Sequence, residues 1–361
     1  MFYYLHFFKD SFALFNLFRY ITFRSAAASI TAFLFCIWIG PSIIGWLKKI
    51  KFTANNKREH AEKIHSFYAH KKDVPTMGGI LIVASVAFSS LLWNNLNNRF
   101  VWILLLGTAG FGLVGFLDDW LKLQSKSSRG LTSMTKMTGQ LIIGLAIGLH
   151  LYLDPSFDKW LYLPLIKTGT VYLGVFFIPF VILVLVGTSN ALNLTDGLDG
   201  LATGCTLFTA AALGLVAYIV GRVDFTAYLS IPHVPEAGEA AVFAAALLGA
   251  SAGFLWFNSF PAEVMMGDTG SLALGGALGT IAVLIKKEAV LVIVGGIFVW
   301  EAMSVMLQVA SFKLFKKRIF LMSPFHHHLQ LLGWPESKVT VRLWIIAMIL
   351  AVAGLSTLKV R

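Results

Sequence analysis

The sequence predicts an all-α polytopic membrane protein, and three observations carry that reading. Hydrophobic residues fill 57% of the 361 positions and charged residues only 13%, too few to cover a soluble globule of this size. The apolar residues fall into about ten runs, each long enough to cross a hydrocarbon core of about 30 Å. The basic residues collect in alternate loops between those runs, as the positive-inside rule requires.

The first 24 residues, MFYYLHFFKDSFALFNLFRYITFR, are rich in phenylalanine and precede SAAAS, which superficially resembles a signal-peptide cleavage region. Lys9, Asp10 and Arg19 interrupt the apolar run and no basic segment precedes it, so an amphipathic helix lying in the interface is expected over 1–24. Transmembrane helices are expected at about 25–47, 77–96, 100–121, 133–153, 170–190, 198–220, 238–257, 269–285, 288–311 and 341–358. An even number of spans places both termini on one side. The loops after the first, third and ninth helices hold 18 of the 29 Lys and Arg, which makes their face cytoplasmic and both termini non-cytoplasmic. A single integral membrane domain over 1–361 is expected, with cytoplasmic loops at about 48–76, 122–132, 191–197, 258–268 and 312–340.

The remaining composition mainly excludes. A net charge of +11 could point to nucleic acid, but its residues sit in short loops and read as topology. Cys36 and Cys205 lie within apolar segments and make neither a disulfide framework nor a four-ligand zinc site. Small residues in the seventh and eighth helices, AAALLGASAG and LALGGALGT, read as close helix packing.

Against this background NALNLTDGLDGLATG, residues 190–204, stands out. Asn190, Asn193, Asp196 and Asp199 recur every third residue and would share one polar helix face. An aspartate at the bilayer centre costs about 2.5 to 3.5 kcal/mol, so two belong at the membrane boundary or in a hydrated cavity. Asp196 could cap the next helix with Asp199 near its positive end, but capping alone explains one aspartate and neither asparagine.

The predicted topology puts other polar groups at the same depth. Asp118 and Asp119 end the third helix, Asp268 begins the eighth, and His326, His327 and His328 follow the ninth. Lys71, Lys72, Lys122 and Lys136 lie on that side too. Carboxylates in such a basin suit a hard cation such as Mg²⁺, which takes oxygen ligands and shares phosphate oxygens with substrate. Carboxylates beside lysines suit a metal-bridged diphosphate undergoing phosphoryl transfer. Each group also has a blander role. Paired carboxylates at a helix C-terminus oppose the macrodipole, so Asp118 and Asp119 are poor as mere terminators. MGDTGSL around Asp268 is a fair N-cap signal. Three consecutive histidines cannot all face one ligand on a helix. Glu301, deep in the ninth helix with Ser304 and Gln308 at hydrogen-bonding spacing, is an intramembrane carboxylate whose distance from the basin favours a structural or groove-lining role.

GFLDDWLK at 115–122, GTSNALNLTDGLDGLA at 187–202, PAEVMMGDTGSLALGGALG at 261–279 and PFHHHLQLLGWPESKVTVRLWII at 324–346 resemble the phospho-N-acetylmuramoyl-pentapeptide-transferase family, as do VPTMGG at 74–79 and LSTLKVR at the end. The resemblance implies Mg²⁺-dependent transfer of phospho-N-acetylmuramoyl-pentapeptide from its UDP carrier to undecaprenyl phosphate, giving lipid I and UMP, in a bacterial inner membrane with the site facing the cytoplasm. It implies Asp118, Asp119, Asp268 and His326 as catalytic residues, with Asp268 the metal ligand. Lys71, Thr76, Lys122, Lys136, Asn190, Asn193, Asp196, Asp199, Met265, His327 and His328 are the substrate-binding positions it implies. A homodimer and a lipid groove beside a bent ninth helix are implied as well. The sequence departs from the family at Trp120, at Asp73 and Val74, at Gln330, and at Met265, where an aromatic ring often stands to stack on uracil. Two other readings compete. A transferase of N-acetylhexosamine phosphate shares the acidic motifs, and a cation-coupled transporter also needs intramembrane carboxylates but places them near the midplane.

Overall fold

The computed structural model describes residues 1–50, 74–124, 130–164, 166 and 169–359. They form α1 (Ile21–Lys49), α2 (Gly79–Trp93), α3 (Arg99–Gln124), α4 (Ser133–Leu153), α5 (Phe177–Thr195), α6 (Leu201–Val220), α7 (Val223–Leu229), α8 (Ala237–Asn258), α9 (Gly267–Leu284), α10 (Glu288–Val294), α11 (Gly296–Phe315), α12 (Phe325–Leu331) and α13 (Glu336–Ser356). Among the described residues nine helices are long and apolar enough to cross a membrane, and α2, with 15 residues, is a shorter apolar helix. The ten expected spans are thereby all accounted for, and the chain is an all-α, multi-pass membrane protein.

Several boundaries depart from expectation, each for a local reason. The span placed at 170–190 starts only at Phe177, because Thr170–Tyr172 (β2) pairs antiparallel with Trp160–Tyr162 (β1), Trp160 opposite Tyr172. The span placed at 288–311 is two helices, α10 and α11, meeting at Gly295. The loop placed at 191–197 is shorter because α5 runs to Thr195, and that placed at 312–340 contains α12 and the start of α13. The N-terminal segment is not an α-helix but two 3-10 pieces, Phe2–Phe8 and Ala13–Arg19. Its terminal amine donates to Leu91 O and Leu92 O at 2.8 Å, and Phe2 and Phe18 pack on Trp93 at 4.9 and 5.8 Å. Tied at both ends to the close of α2, the segment takes the tight form that suits short pieces.

The core is built around α9, whose residues from Thr269 to Leu284 are all buried. It is enclosed by α2, α3, α5, α6, α8 and α10. Glycine permits this enclosure: a Cβ on Gly115 of α3 would overlap the Asp268 carbonyl, and one on Gly79 of α2 would overlap the Gly270 backbone. Van der Waals packing of such closely approached backbones is what joins helices in lipid, where no hydrophobic drive separates them from the solvent. At the far end of α8, Arg24 holds Glu239 in a buried bidentate pair with contacts of 2.7 and 2.8 Å, and Asn94 Nδ2 donates to Glu239 O at 2.8 Å. That pair fixes α1 and α2 against α8.

Candidate active site

Close approach of α3 and α9 brings the carboxylates together. Asp119 accepts from the Thr269 N–H at 2.9 Å and the Thr269 hydroxyl at 2.8 Å through Oδ2, and from the Asp268 N–H at 3.3 Å through Oδ1. It therefore caps the start of α9 from another helix, satisfying amides that have no partner within their own turn. Gly267, at φ +74°, supplies the left-handed bend that turns the chain into this helix.

Asp118 points elsewhere. Its Oδ1 accepts from the Leu131 N–H at 2.7 Å and its Oδ2 lies 2.6 Å from Lys122 Nζ. The same ammonium is 2.8 Å from Asp268 Oδ2, and Lys136 Nζ from α4 reaches that oxygen at 2.7 Å. The donors and acceptors around Asn193 assign the orientation of its amide, with the nitrogen toward Asp268 Oδ1 at 3.0 Å and the oxygen toward Lys136 Nζ at 3.2 Å. One ligand oxygen from each of Asp118, Asp119 and Asp268 lies within 4.8 Å of the others. Three carboxylates against two ammonium ions leave the cluster short of positive charge, and an oxygen-only donor set of this size fits a hard divalent cation.

Thr76 and Met265 reach the same place. The Met265 N–H donates to Pro75 O at 2.8 Å, and the Gly78 and Gly79 N–H groups donate back to Met265 O and Met266 O at 2.9 Å. This strap sets the Thr76 hydroxyl beside Gly267. Lys71 lies outside the described residues.

The other expected residues serve different contacts. The segment from Asn190 to Asp199 is not one helix, since α5 ends at Thr195, and α6 is capped by neither aspartate but begins after Gly200 at φ +71°. Asn193 is the member that meets Asp268. Asn190 donates to Gln140 Oε1 at 2.7 Å, joining α5 to α4. Asp196 closes α5. Asp199 is buried, accepts from the Ala262 N–H at 3.0 Å, and its own N–H donates to Glu336 Oε1 at 2.8 Å. The histidines diverge as successive positions on a helix must. His327 pairs with Gln330 at 2.9 Å, and His328 Nδ1 accepts from the Leu321 N–H at 3.2 Å. His326 Nδ1 lies 3.2 Å from Glu301 Oε2, which overturns the expectation that Glu301 stands apart from the motif residues.

Sequence reasoning missed Thr269, Gln140 and Glu336. Thr269 stands inside the GDTGS motif, and Gln140 is a lone amide among apolar neighbours, the kind of intramembrane polar residue that always asks for a partner. Glu336 offered no such signal. Between α5 and the α10–α11 pair lies an apolar cavity of about 420 Å³, lined by Phe180, Val184, Ala191, Val299, Ala302 and Met306 among others.

Residues 101–286 match the sequence profile described as Glycosyl transferase family 4. A protein named phospho-N-acetylmuramoyl-pentapeptide-transferase from Thermodesulfovibrio yellowstonii is 50% identical over 349 residues, 96% of each chain. One of the same name from Citrifermentans bemidjiense is 49% identical over 352 residues, 98% of this chain and 97% of the relative. A third, from Desulfotalea psychrophila, is 49% identical over 363 residues and covers all of both chains.

Proposed function

This chain belongs to the phospho-N-acetylmuramoyl-pentapeptide-transferases and is a transferase, and from that premise we propose that it moves phospho-N-acetylmuramoyl-pentapeptide from its UDP carrier onto undecaprenyl phosphate, releasing UMP and forming lipid I. The observation that carries the reading is the cluster of Asp118, Asp119 and Asp268 with Lys122 and Lys136. Asp268, with Asp118 beside it, would hold Mg²⁺, which when bound neutralises charge on a diphosphate as it is cleaved.

The chain's own groups divide the remaining work. Lys122 and Lys136 exchange carboxylate partners for phosphate oxygens when the donor enters, so an ammonium group faces the negative charge of the substrate. Asp119 is fully engaged at the head of α9 and serves as a brace. Asp118, whose Oδ2 faces the ammonium groups of Lys122 and Lys136 rather than a helix terminus, is the better placed of the two to take a proton from the acceptor phosphate. Thr76 and Met265 border the donor. The apolar cavity between α5 and α11 takes the prenyl chain, which lets one substrate arrive from water and the other from lipid. A homodimer in the bacterial inner membrane, with the cluster facing the cytoplasm, completes the reading.

Asp268→Asn is expected to abolish UMP release from detergent-solubilised protein while leaving its melting temperature within a few degrees of wild type. Chelation should stop the unmodified protein and Mg²⁺ restore it; turnover that persists without metal removes the cation from the reaction. Supplying UDP-N-acetylhexosamine in place of the muramoyl-pentapeptide donor separates the two transferase readings.

A further inference from the structure

Glu301 is fully buried on α11, and its Oε1 has no hydrogen-bond partner. An ionisable group in such a place persists only with a partner or a task. Its neighbour comes from 25 residues further along the chain, where α12 folds back against α11. Glu301 Oε2 lies 3.2 Å from His326 Nδ1 and 3.4 Å from the His326 backbone N–H, so one oxygen addresses both the ring and the turn that carries it. His326 is itself buried and neither ring nitrogen completes a hydrogen bond: Nδ1 has the approach of the Glu301 carboxylate as its one polar neighbour, and Nε2 has none. That nitrogen faces Gly197, where a Cβ would overlap it. Gly197 lies in the loop that follows α5, four residues beyond Asn193 at the acidic cluster.

An imidazole is useful to a ligand only when its ring is held and its protons are assigned, and the nitrogen turned away from the ligand decides both. We propose that Glu301 is a positioning residue for His326: its carboxylate holds the Nδ1 proton and thereby presents Nε2 to the loop at Gly197, on the donor side of the site. The placement of a donor there rests on the reaction proposed above. The pairing of Glu301 with His326 does not.

The two are tested separately. In detergent-solubilised protein labelled with ¹⁵N-histidine, with the resonance assigned by its loss in His326→Gln, the wild-type ring should show a protonated Nδ1. Glu301→Gln, which keeps the size of the side chain, should move that signal, and Glu301→Ala should shift it toward the average of a freely exchanging imidazole. A His326 signal unmoved by both overturns the proposal. For UMP release, Glu301→Ala is expected to lower turnover about 100-fold and Glu301→Gln about tenfold, the range in which loss of an orienting partner falls. In a His326→Gln background the Glu301→Gln change should add less than twofold, because the ring it acts through is gone. Equal losses in the two backgrounds would show that Glu301 works independently of the histidine. Should the wild type release no UMP from the muramoyl-pentapeptide donor, the assigned reaction fails while the labelling result still decides the pairing.

Discussion

Asp118 and Asp119 are adjacent in the chain yet held by different partners, and the difference can be measured. Asp119 accepts three hydrogen bonds from the first turn of α9, and an asparagine in its place keeps only one acceptor oxygen. Asp119→Asn is therefore expected to lower stability by about 1–3 kcal/mol, the cost of buried donors left unsatisfied, and to show it as a lower thermal midpoint in detergent. Asp118→Asn relieves crowding among the carboxylates and should leave that midpoint almost unchanged while still removing turnover. Both aspartates were visible in the sequence because charge is rare in membrane segments and costly there. Their division of labour was not, since it depends on Thr269, which lies 150 residues away from Asp119. Glu301 shows the same gap more sharply. Its position in an apolar helix flagged it, but only the return of α12 reveals His326 as its neighbour.

Among the helices, spacing of apolar runs was enough to find every span, because a lipid environment forces long uninterrupted segments. Interruptions were harder. The break at Gly295 leaves no gap in hydrophobicity, and neither the β1–β2 pair nor the 3-10 form of the N-terminus has a pattern that length and composition reveal. The glycines of α8 and α9 read as packing residues, and the structure bears this out at Gly275, where a Cβ would lie 2.5 Å from the Ser189 backbone. Gly115 of α3, which the sequence reading did not single out, gives the same principle a test. Gly115→Ala puts a methyl group against the Asp268 carbonyl, backbone against backbone, with no flexible side chain to yield. The expected cost is about 1–3 kcal/mol, seen in thermal unfolding, together with a fall in UMP release as Asp268 is displaced from its lysines.

Taken as a whole, the protein separates its chemistry from its fastening. The acidic cluster lies at the start of α9, whereas the buried Arg24–Glu239 pair lies at the opposite end of α8 and touches nothing in the site. Arg24→Met leaves Glu239 without its counter-charge and should cost about 3–5 kcal/mol, whereas Arg24→Met combined with Glu239→Leu should recover most of the loss. Thermal midpoints of the two variants in one detergent decide this, and KM for the donor should stay the same in both. Side-of-membrane reasoning grouped Asp118, Asp119, Asp268, Lys122 and Lys136 correctly because depth is encoded in the order of spans. It could not tell Asn193, which meets Asp268, from Asn190, which turns to Gln140, since the two share a face of α5 about 4.5 Å apart along its axis and only the packing of α9 and α4 gives them different partners.

Enclosure of α9 by six neighbours has a mechanical outcome. A rod gripped on all sides cannot tilt unless the whole bundle deforms, so the carboxylate at its tip behaves as a fixed anvil.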